Sequence, residues 1–292
     1  MHTPLQGLIK RNVLTSEELE QIQSLEQTCT AHDGFALKLN WSMLRSRNGH
    51  EPQDYLYYQD GELIAFLGLY SFGSEEVEVS GMVHPSYRRQ GIFRGMLTEA
   101  IADCRSRKFS RVLLIVTGAS DTGKAFATGL GAEYSFSEYY MERIHAPSQQ
   151  AVLPIRLRPV ALSDLELLAQ LNADGFSMSI EDAREYVRQT LEKNKETTYV
   201  AELEGTSIGK ISVRLDEKQA FYYGFVVANE LRGRGYGRAI LQKTMEFAEE
   251  ELQKTHHSLE VAAKNESALH LYRSCGFESV RSIEYYQISL EG

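Results

Sequence analysis

The 292-residue chain is short of several things, and each shortage removes a class of function. Its three cysteines, Cys29, Cys104 and Cys275, are odd in number, far apart and without metal spacing, so neither a disulfide framework nor a cysteine-bound metal is expected. Cys104 falls on the apolar stripe of a helical pattern and reads as a core residue rather than a nucleophile. The eight histidines show no metal spacing either, and His256-His257, at a helix–strand junction, is expected to face solvent. Basic residues are outnumbered: 31 Lys and Arg stand against 40 Asp and Glu, for a formal charge of −9. That balance argues against nucleic acid as the main partner, because phosphate binding needs a basic footprint. It is compatible with a cationic or amine-bearing substrate. Apolar residues never run long enough to span a membrane, and no apolar stretch of signal-peptide length follows Met1-His2-Thr3-Pro4. The expected setting is the cytoplasm, with no membrane partner.

What remains is ordinary globular composition, 42% hydrophobic and 24% charged. The length is about twice that of a domain of roughly 100–200 residues, so two domains are expected. An internal repeat supports that count. Val83-His84-Pro85-Ser86-Tyr87-Arg88-Arg89-Gln90-Gly91 resembles Val227-Ala228-Asn229-Glu230-Leu231-Arg232-Gly233-Arg234-Gly235. The same spacing pairs Asp60-Gly61 with Glu204-Gly205, and nearly the same spacing pairs Gly131 with Gly276 and Glu138-Tyr139-Tyr140 with Glu284-Tyr285-Tyr286. One module is expected over 1–146 and the second over 154–292, with His145-Ala146-Pro147-Ser148-Gln149-Gln150 as linker.

Each module repeats one order of elements. In the first, Thr15-Ser16-Glu17-Glu18 has the form of a capping box opening a helix. Strands over Tyr55–Gln59 and Leu63–Tyr70 flank the Asp60-Gly61 hairpin signal, and Val77–Val83 is a third. Phe93, Leu97, Ala100, Ile101 and Cys104 then recur at helical spacing, before the wholly apolar run Val112–Val116, a short helix and a last strand near Tyr134–Glu142. In the second, helices are expected near Ser163–Asn172 and Ile180–Lys193, and strands near Thr198–Leu203, Ile208–Leu215 and Ala220–Val227. A helix from Gly235 to about Gln253, a strand over Leu259–Ala263, a helix near Glu266–Ser274 and a final strand follow. The fold class is mixed α/β: two tandem modules, each a largely antiparallel sheet flanked by helices.

The densest chemistry lies in Phe225-Val226-Val227-Ala228-Asn229-Glu230-Leu231-Arg232-Gly233-Arg234-Gly235-Tyr236-Gly237-Arg238. A strand runs into a turn rich in Gly and Arg, and the turn opens a helix. Glycines let backbone N–H groups approach a ligand, the helix start adds the positive end of its dipole, and Arg232, Arg234 and Arg238 add charge. A pyrophosphate would suit such a site. Arg232-x-x-Gly235-x-Gly237 resembles the acetyl-CoA pyrophosphate loop of the GNAT superfamily of N-acetyltransferases. The later stretch Val261-Ala262-Ala263-Lys264-Asn265-Glu266-Ser267-Ala268-Leu269-His270-Leu271-Tyr272-Arg273-Ser274-Cys275-Gly276-Phe277 resembles that family's second signature.

The resemblance implies acetyl-CoA as co-substrate, no metal, and direct attack of an amine on the thioester. It places Phe225, Val226, Val227, Arg232, Gly233, Arg234, Gly235, Tyr236, Gly237, Arg238 and Asn265 on the co-substrate, Asn265 against the pantetheine arm. Backbone N–H groups near Val227 would hold the carbonyl oxygen as it gains charge. Tyr272 would protonate the departing thiolate; otherwise it is a core aromatic on a short helix. The fourth strand, Phe221-Tyr222-Tyr223-Gly224-Phe225, carries no acid, so no general base is assigned. Glu202 is a candidate from a neighbouring strand, although an exposed strand carboxylate is the simpler reading, and Tyr222 is a candidate for the acceptor site.

The first module matches less well. Arg88 and Gly91 persist, but Phe93 stands at the second small position, Ser120 where the second module has Asn265, and Ala127 where it has Tyr272. Glu76 and Glu78 share a strand face and read as solvated residues or as a base. This half is expected to be structural or to shape the acceptor pocket, with at most weak binding of CoA, and the architecture is similar to that of mycothiol synthase. Gly118-Ala119-Ser120-Asp121-Thr122-Gly123-Lys124-Ala125 nearly spells a Walker loop, but Ala125 lacks the hydroxyl that would ligate magnesium. Two rivals to an acetyltransferase remain: a non-catalytic acyl-CoA sensor or scaffold, and an enzyme for a longer acyl-CoA. The acceptor is expected near Leu171–Tyr186 and the final strand, with Phe176, Met178 and Tyr186 as an apolar wall or as helix packing. A small-molecule or peptide amine fits, and the sequence is compatible with a homodimer.

Overall fold

The computed structural model describes residues 5–71, 73, 75–147, 153–176, 178–193 and 197–290. The first half supplies β1 (Gly7–Arg11), α1 (Ser16–Asp33), α2 (Trp41–Arg45), β2 (Asp54–Gln59), β3 (Glu62–Tyr70) and β4 (Glu76–Val83). It continues through α3 (Ile92–Ser106), β5 (Arg111–Thr117), α4 (Asp121–Thr128) and β6 (Glu133–Arg143). The second half supplies β7 (Arg156–Pro159), α5 (Leu165–Phe176), α6 (Ile180–Lys193), β8 (Thr197–Leu203), β9 (Thr206–Leu215) and β10 (Gln219–Val227). It ends with α7 (Tyr236–Glu250), β11 (His256–Ala262), α8 (Glu266–Ser274) and β12 (Phe277–Ser289).

Local signals account for much of this. Thr15 Oγ1 accepts from the Glu18 amide while the Glu18 carboxylate accepts from the Thr15 amide, the reciprocal capping box expected at α1. The hairpin turns have positive φ at both central residues, 51° and 85° at Asp60-Gly61 and 51° and 80° at Glu204-Gly205. Turns of that hand match the twist of the strands they join. The additions are β1, α2 and β7, of five, five and four residues, too short for periodicity to be read. Ser148, Gln149 and Gln150 of the expected linker lie outside the described residues.

The chain forms two compact units, residues 1–137 with 281–292, and residues 138–280. Their boundaries differ from those of the sequence modules 1–146 and 154–292 because the last strands are exchanged. In the first unit the strands run β1-β2-β3-β4-β5-β12, all neighbours antiparallel except β4 and β5. In the second they run β7-β8-β9-β10-β11-β6, all antiparallel except β10 and β11. Thus Glu138–Glu142 of β6 ladders with Ala262–Ser258, and Ile283–Ser289 of β12 ladders with Thr117–Arg111. The exchange is anchored by packing: Met141 is wholly buried in the core that α7 covers, and Tyr286 and Leu290 are buried in the core under α3. The acceptor wall expected from the final strand is corrected accordingly. At the sheet of the second unit that position belongs to β6, since β12 leaves it after residue 280.

His257 corrects a second expectation. His256 is exposed, but His257 is only 2% exposed. The Tyr222 hydroxyl lies 2.6 Å from its Nδ1 and the Glu249 carboxylate 2.9 Å from its Nε2. Strand alternation turns one of two adjacent residues inward, and here the inward ring finds polar partners on both sides. Burial holds its pKa below the usual histidine value despite Glu249. Because the unfolded chain then binds the proton more readily, His257 should add stability above about pH 6.5, lost as pH falls below it. Urea melts are expected to show that acid limb in the wild type and a flatter one in His257→Gln. Fragment 138–280, which retains β6, should also melt cooperatively, whereas 154–292, stripped of Met141 and its strand, should not.

Candidate active site

Three features of the second unit converge where β10 meets α7. The first is the start of α7. Gly235 has φ 84°, and no side chain caps the helix, so the first N–H groups of α7 carry the positive end of its dipole with no internal acceptor. Arg232 and Arg234 are exposed beside them. The Arg232 guanidinium is also a fastener: its Nε donates to the Val227 carbonyl at 3.0 Å, as Arg88 Nε donates to the Val83 carbonyl at 2.9 Å. Gly237 approaches Leu271 so closely that an added Cβ would meet its Cδ2 at 3.1 Å, and Arg238 Nε donates to Ser274 Oγ at 3.1 Å, tying α7 to α8. Gly233 and Tyr236 complete the turn, Gly233 at φ 76°.

The second feature is a break in the sheet. β10 and β11 pair only from Gln219↔His256 to Tyr222↔Leu259. Against β9, the register of β10 jumps from Tyr223↔Ser212 to Val226↔Lys210, so Gly224 and Phe225 together oppose Ile211. This bulge releases backbone groups from the ladder where β10 leaves β11. Gly224 sits in it at φ 55°. Phe225 and Val227 pack towards the α7 core, while Val226 turns the other way against Gly175. In the first unit β3 and β4 keep an unbroken register from Ala65↔Val83 to Tyr70↔Glu78.

The third feature is α8. Asn265 is its N-cap: Oδ1 accepts from the Ala268 amide at 3.1 Å, which leaves its NH2 group facing outward from an exposed position. Tyr272 is buried, with its ring 6.3 Å from that of Phe277. Burial pushes its phenol up to about 12, so it holds its proton at neutral pH.

On the opposite sheet face, the rings of Tyr140, Phe221 and Tyr223 stack in sequence, with centroids 6.4 and 6.3 Å apart, and the Arg214 guanidinium lies 4.3 Å over Phe221. Tyr222 does not join this face; it is buried in the α7 core and spends its hydroxyl on His257, which corrects its expected place in an acceptor pocket. Glu202 accepts from Arg158 Nε at 2.7 Å, and Arg158 also grips Asp164, so this carboxylate latches β7 to β8. Phe176 and Tyr186 are exposed, and Met178 is half-buried. Sequence reasoning missed Glu260 and Glu138. Register and alternation place both on the Tyr140 face, beside the break. Glu138 was unreadable as such because it arrives on an exchanged strand.

The first unit fills the equivalent space. A Cβ on Gly81 would meet Phe93 Cε2 at 2.7 Å, and the Phe93 and Phe126 rings meet edge-on at 5.4 Å. Ser120 caps α4 through the Gly123 amide, Ala127 is buried, and Arg89 occupies the left-handed region at φ 64° where the second unit has Gly233. Glu76 pairs with Arg111 at 2.8 Å, and Glu78 is half-buried. Lys124 of the near-Walker segment donates to the Gly118 carbonyl at 2.6 Å. Cys29, Cys104 and Cys275 are all buried, and no cluster of three metal-ligating side chains occurs among the described residues. No helix there is long and apolar enough to cross a membrane.

The profile of the acetyltransferase (GNAT) family matches residues 16–131 and 165–277. An N-alpha-acetyltransferase of Sulfurisphaera tokodaii is 24% identical over 149 residues, covering 45% of this chain and 84% of that protein. A tandem GNAT protein from the clavulanic acid biosynthesis pathway superposes with TM-score 0.78 at 20% identity, over 98% of both chains. A GCN5-related N-acetyltransferase from Sphaerobacter thermophilus gives TM-score 0.77 at 18% identity, over 99% of this chain and 98% of the other.

Gly224→Ala should cost about 1–2 kcal/mol in urea unfolding, because an L side chain is strained in the left-handed region. Gly95→Ala, in open space on α3, should instead add up to about 1 kcal/mol.

Proposed function

Because the chain belongs to the acetyltransferase (GNAT) family, we propose that it transfers an acetyl group from acetyl-CoA to a primary amine, with the working site in the 138–280 unit. One observation carries the choice of unit: β10 is bulged against β9 at Gly224, whereas β4 keeps a single register along β3 and its neighbourhood is filled by Phe93 and Phe126. The pyrophosphate would lie at the start of α7, held by N–H groups from Gly235 to Arg238 with Arg232 and Arg234 beside them, and the Asn265 NH2 would meet the pantetheine arm.

The amine nitrogen adds to the thioester carbonyl, whose oxygen gains negative charge. Backbone N–H groups between Gly224 and Val227, freed by the bulge, would donate to it there, and a fixed donor is most useful where charge develops. Collapse then breaks the C–S bond, and Tyr272 gives its proton to the sulfur. A phenol held near 12 is still protonated at neutral pH and supports that assignment. Glu260 and Glu138, on the face where the amine would arrive, are suited to taking the proton that the ammonium must lose. Likeness to an N-alpha-acetyltransferase supports an amine acceptor, and the acidic net charge supports a cationic one.

Calorimetry should give about one acetyl-CoA per chain, abolished in the double variant Arg232→Ala, Gly235→Glu; two tight equivalents would place a working site in the first unit as well. Tyr272→Phe should lower kcat by about 10²-fold or more with little change in the KM for acetyl-CoA. No binding at millimolar acetyl-CoA would overturn the reading.

A further inference from the structure

Four polar side chains are buried behind the bulge of β10: Asn172 on α5, Thr198 on β8, and Lys210 and Ser212 on β9, none more than 8% exposed. They occupy one place. Thr198 Oγ1 and Ser212 Oγ are 2.8 Å apart. A Cβ on Gly224 would lie 3.3 Å from Ser212 Oγ and 3.5 Å from Lys210 Nζ. With only hydrogen at that position, nothing separates the bulge from these two groups.

Asn172 is placed by the path of α5. The register sets Val200 and Val226 on either side of Lys210. Leu168 packs with Val200, Gly175 faces Val226, and the Phe176 ring lies 5.7 Å from Lys210 Nζ. Asn172 comes one turn after Leu168 and one before Phe176, on the buried side of the helix, and so lies over Lys210. Its Nδ2 has no hydrogen-bond acceptor among the described residues. A buried amide donor left without an acceptor is costly, and such groups in native proteins call for an explanation.

The set is rich in donors. An ammonium and an amide NH2 can donate, as can whichever hydroxyl of the Thr198–Ser212 pair does not donate to the other, and the ammonium brings positive charge. A carboxylate, with two acceptor oxygens and one negative charge, matches it. We propose that this cluster receives a carboxylate carried by the acceptor itself. Because Gly224 leaves Lys210 and Ser212 directly behind the bulge, that carboxylate sits only a few bonds from the reacting nitrogen, as in a free amino acid. The inference rests on the reading that the amine attacks at this bulge, and it names the acceptor class for that reading.

The test pairs substrates that differ only in the carboxylate: phenylalanine, phenylalaninamide and phenethylamine, and the corresponding leucine and methionine sets, with release of free thiol from acetyl-CoA as the readout. The wild type should favour the amino acid at least about tenfold in kcat/KM, since a site built to bind a polar group rejects the analogue that lacks it. Lys210→Met should raise the KM for the amino acid by about tenfold or more while the matched amine changes by less than about threefold and acetyl-CoA binds as before. Equal use of the three forms by the wild type, or parallel losses for all of them in the variant, would overturn the inference and leave the acetyltransfer reading intact. Failure to bind acetyl-CoA would instead strike that reading. The cluster is then judged alone by NMR, following the Asn172 side-chain amide during titration with N-acetylglycine and with neutral N-methylacetamide. A shift with the first only supports the carboxylate site; no shift, or equal shifts, sinks it.

Discussion

The parallel ladder between β10 and β11 stops at Tyr222 and Leu259, and most of the candidate site exists because it does. Two parallel strands that stay paired offer a ligand no free backbone. Here the extra residue at Gly224 turns β10 away, Val226 and Val227 face opposite sides, and the strand runs on into the turn that opens α7. The dipole of α7, the bulge amides and the polar cluster on β9 are then brought around one break without any of them leaving its own element. A strand inserted regularly would bury the same apolar surface and provide none of this.

The two copies treat the same position in opposite ways. In the second, the strand carries Phe225 and the helix carries Gly237; in the first, the strand carries Gly81 and the helix carries Phe93. In each the aromatic ring packs against the core of its own unit, from the strand in one and from the helix in the other. Arg88 and Arg232 show what did not change. Each guanidinium donates to the carbonyl that ends its strand, a structural duty common to both units.

Much of this was legible in the sequence. The repeat, the Asp60-Gly61 and Glu204-Gly205 hairpins, the capping box at Thr15 and the strand–turn–helix at Gly235 are local signals, and local backbone physics enforces them. The bulge was not legible, because a glycine among aromatic strand residues fixes no register. Glu138 was not legible because β6 and β12 each pair in the other half, a choice made by packing of Met141, Tyr286 and Leu290. His257 was misplaced because which of two neighbouring histidines faces inward depends on the strand's phase. One clue was present and unused: Lys210 interrupts the apolar stretch Ile208-Gly209-Lys210-Ile211, and a lysine in a buried strand needs a reason.

The exchange of β6 and β12 also sets a timetable for synthesis. When the ribosome has made the chain up to residue 137, the edge of β5 that Ile283–Ser289 will occupy is still bare, and its partner follows only after the whole 138–280 unit. The early half must wait through the making of the whole later half with an unpaired strand at its side, and such an edge invites any other extended chain. The late half has no such delay, since Glu138–Glu142 is already waiting when β11 emerges. Order of manufacture and order of completion are therefore reversed: the half made second closes first, and the half made first is finished only by β12, which follows it in the chain.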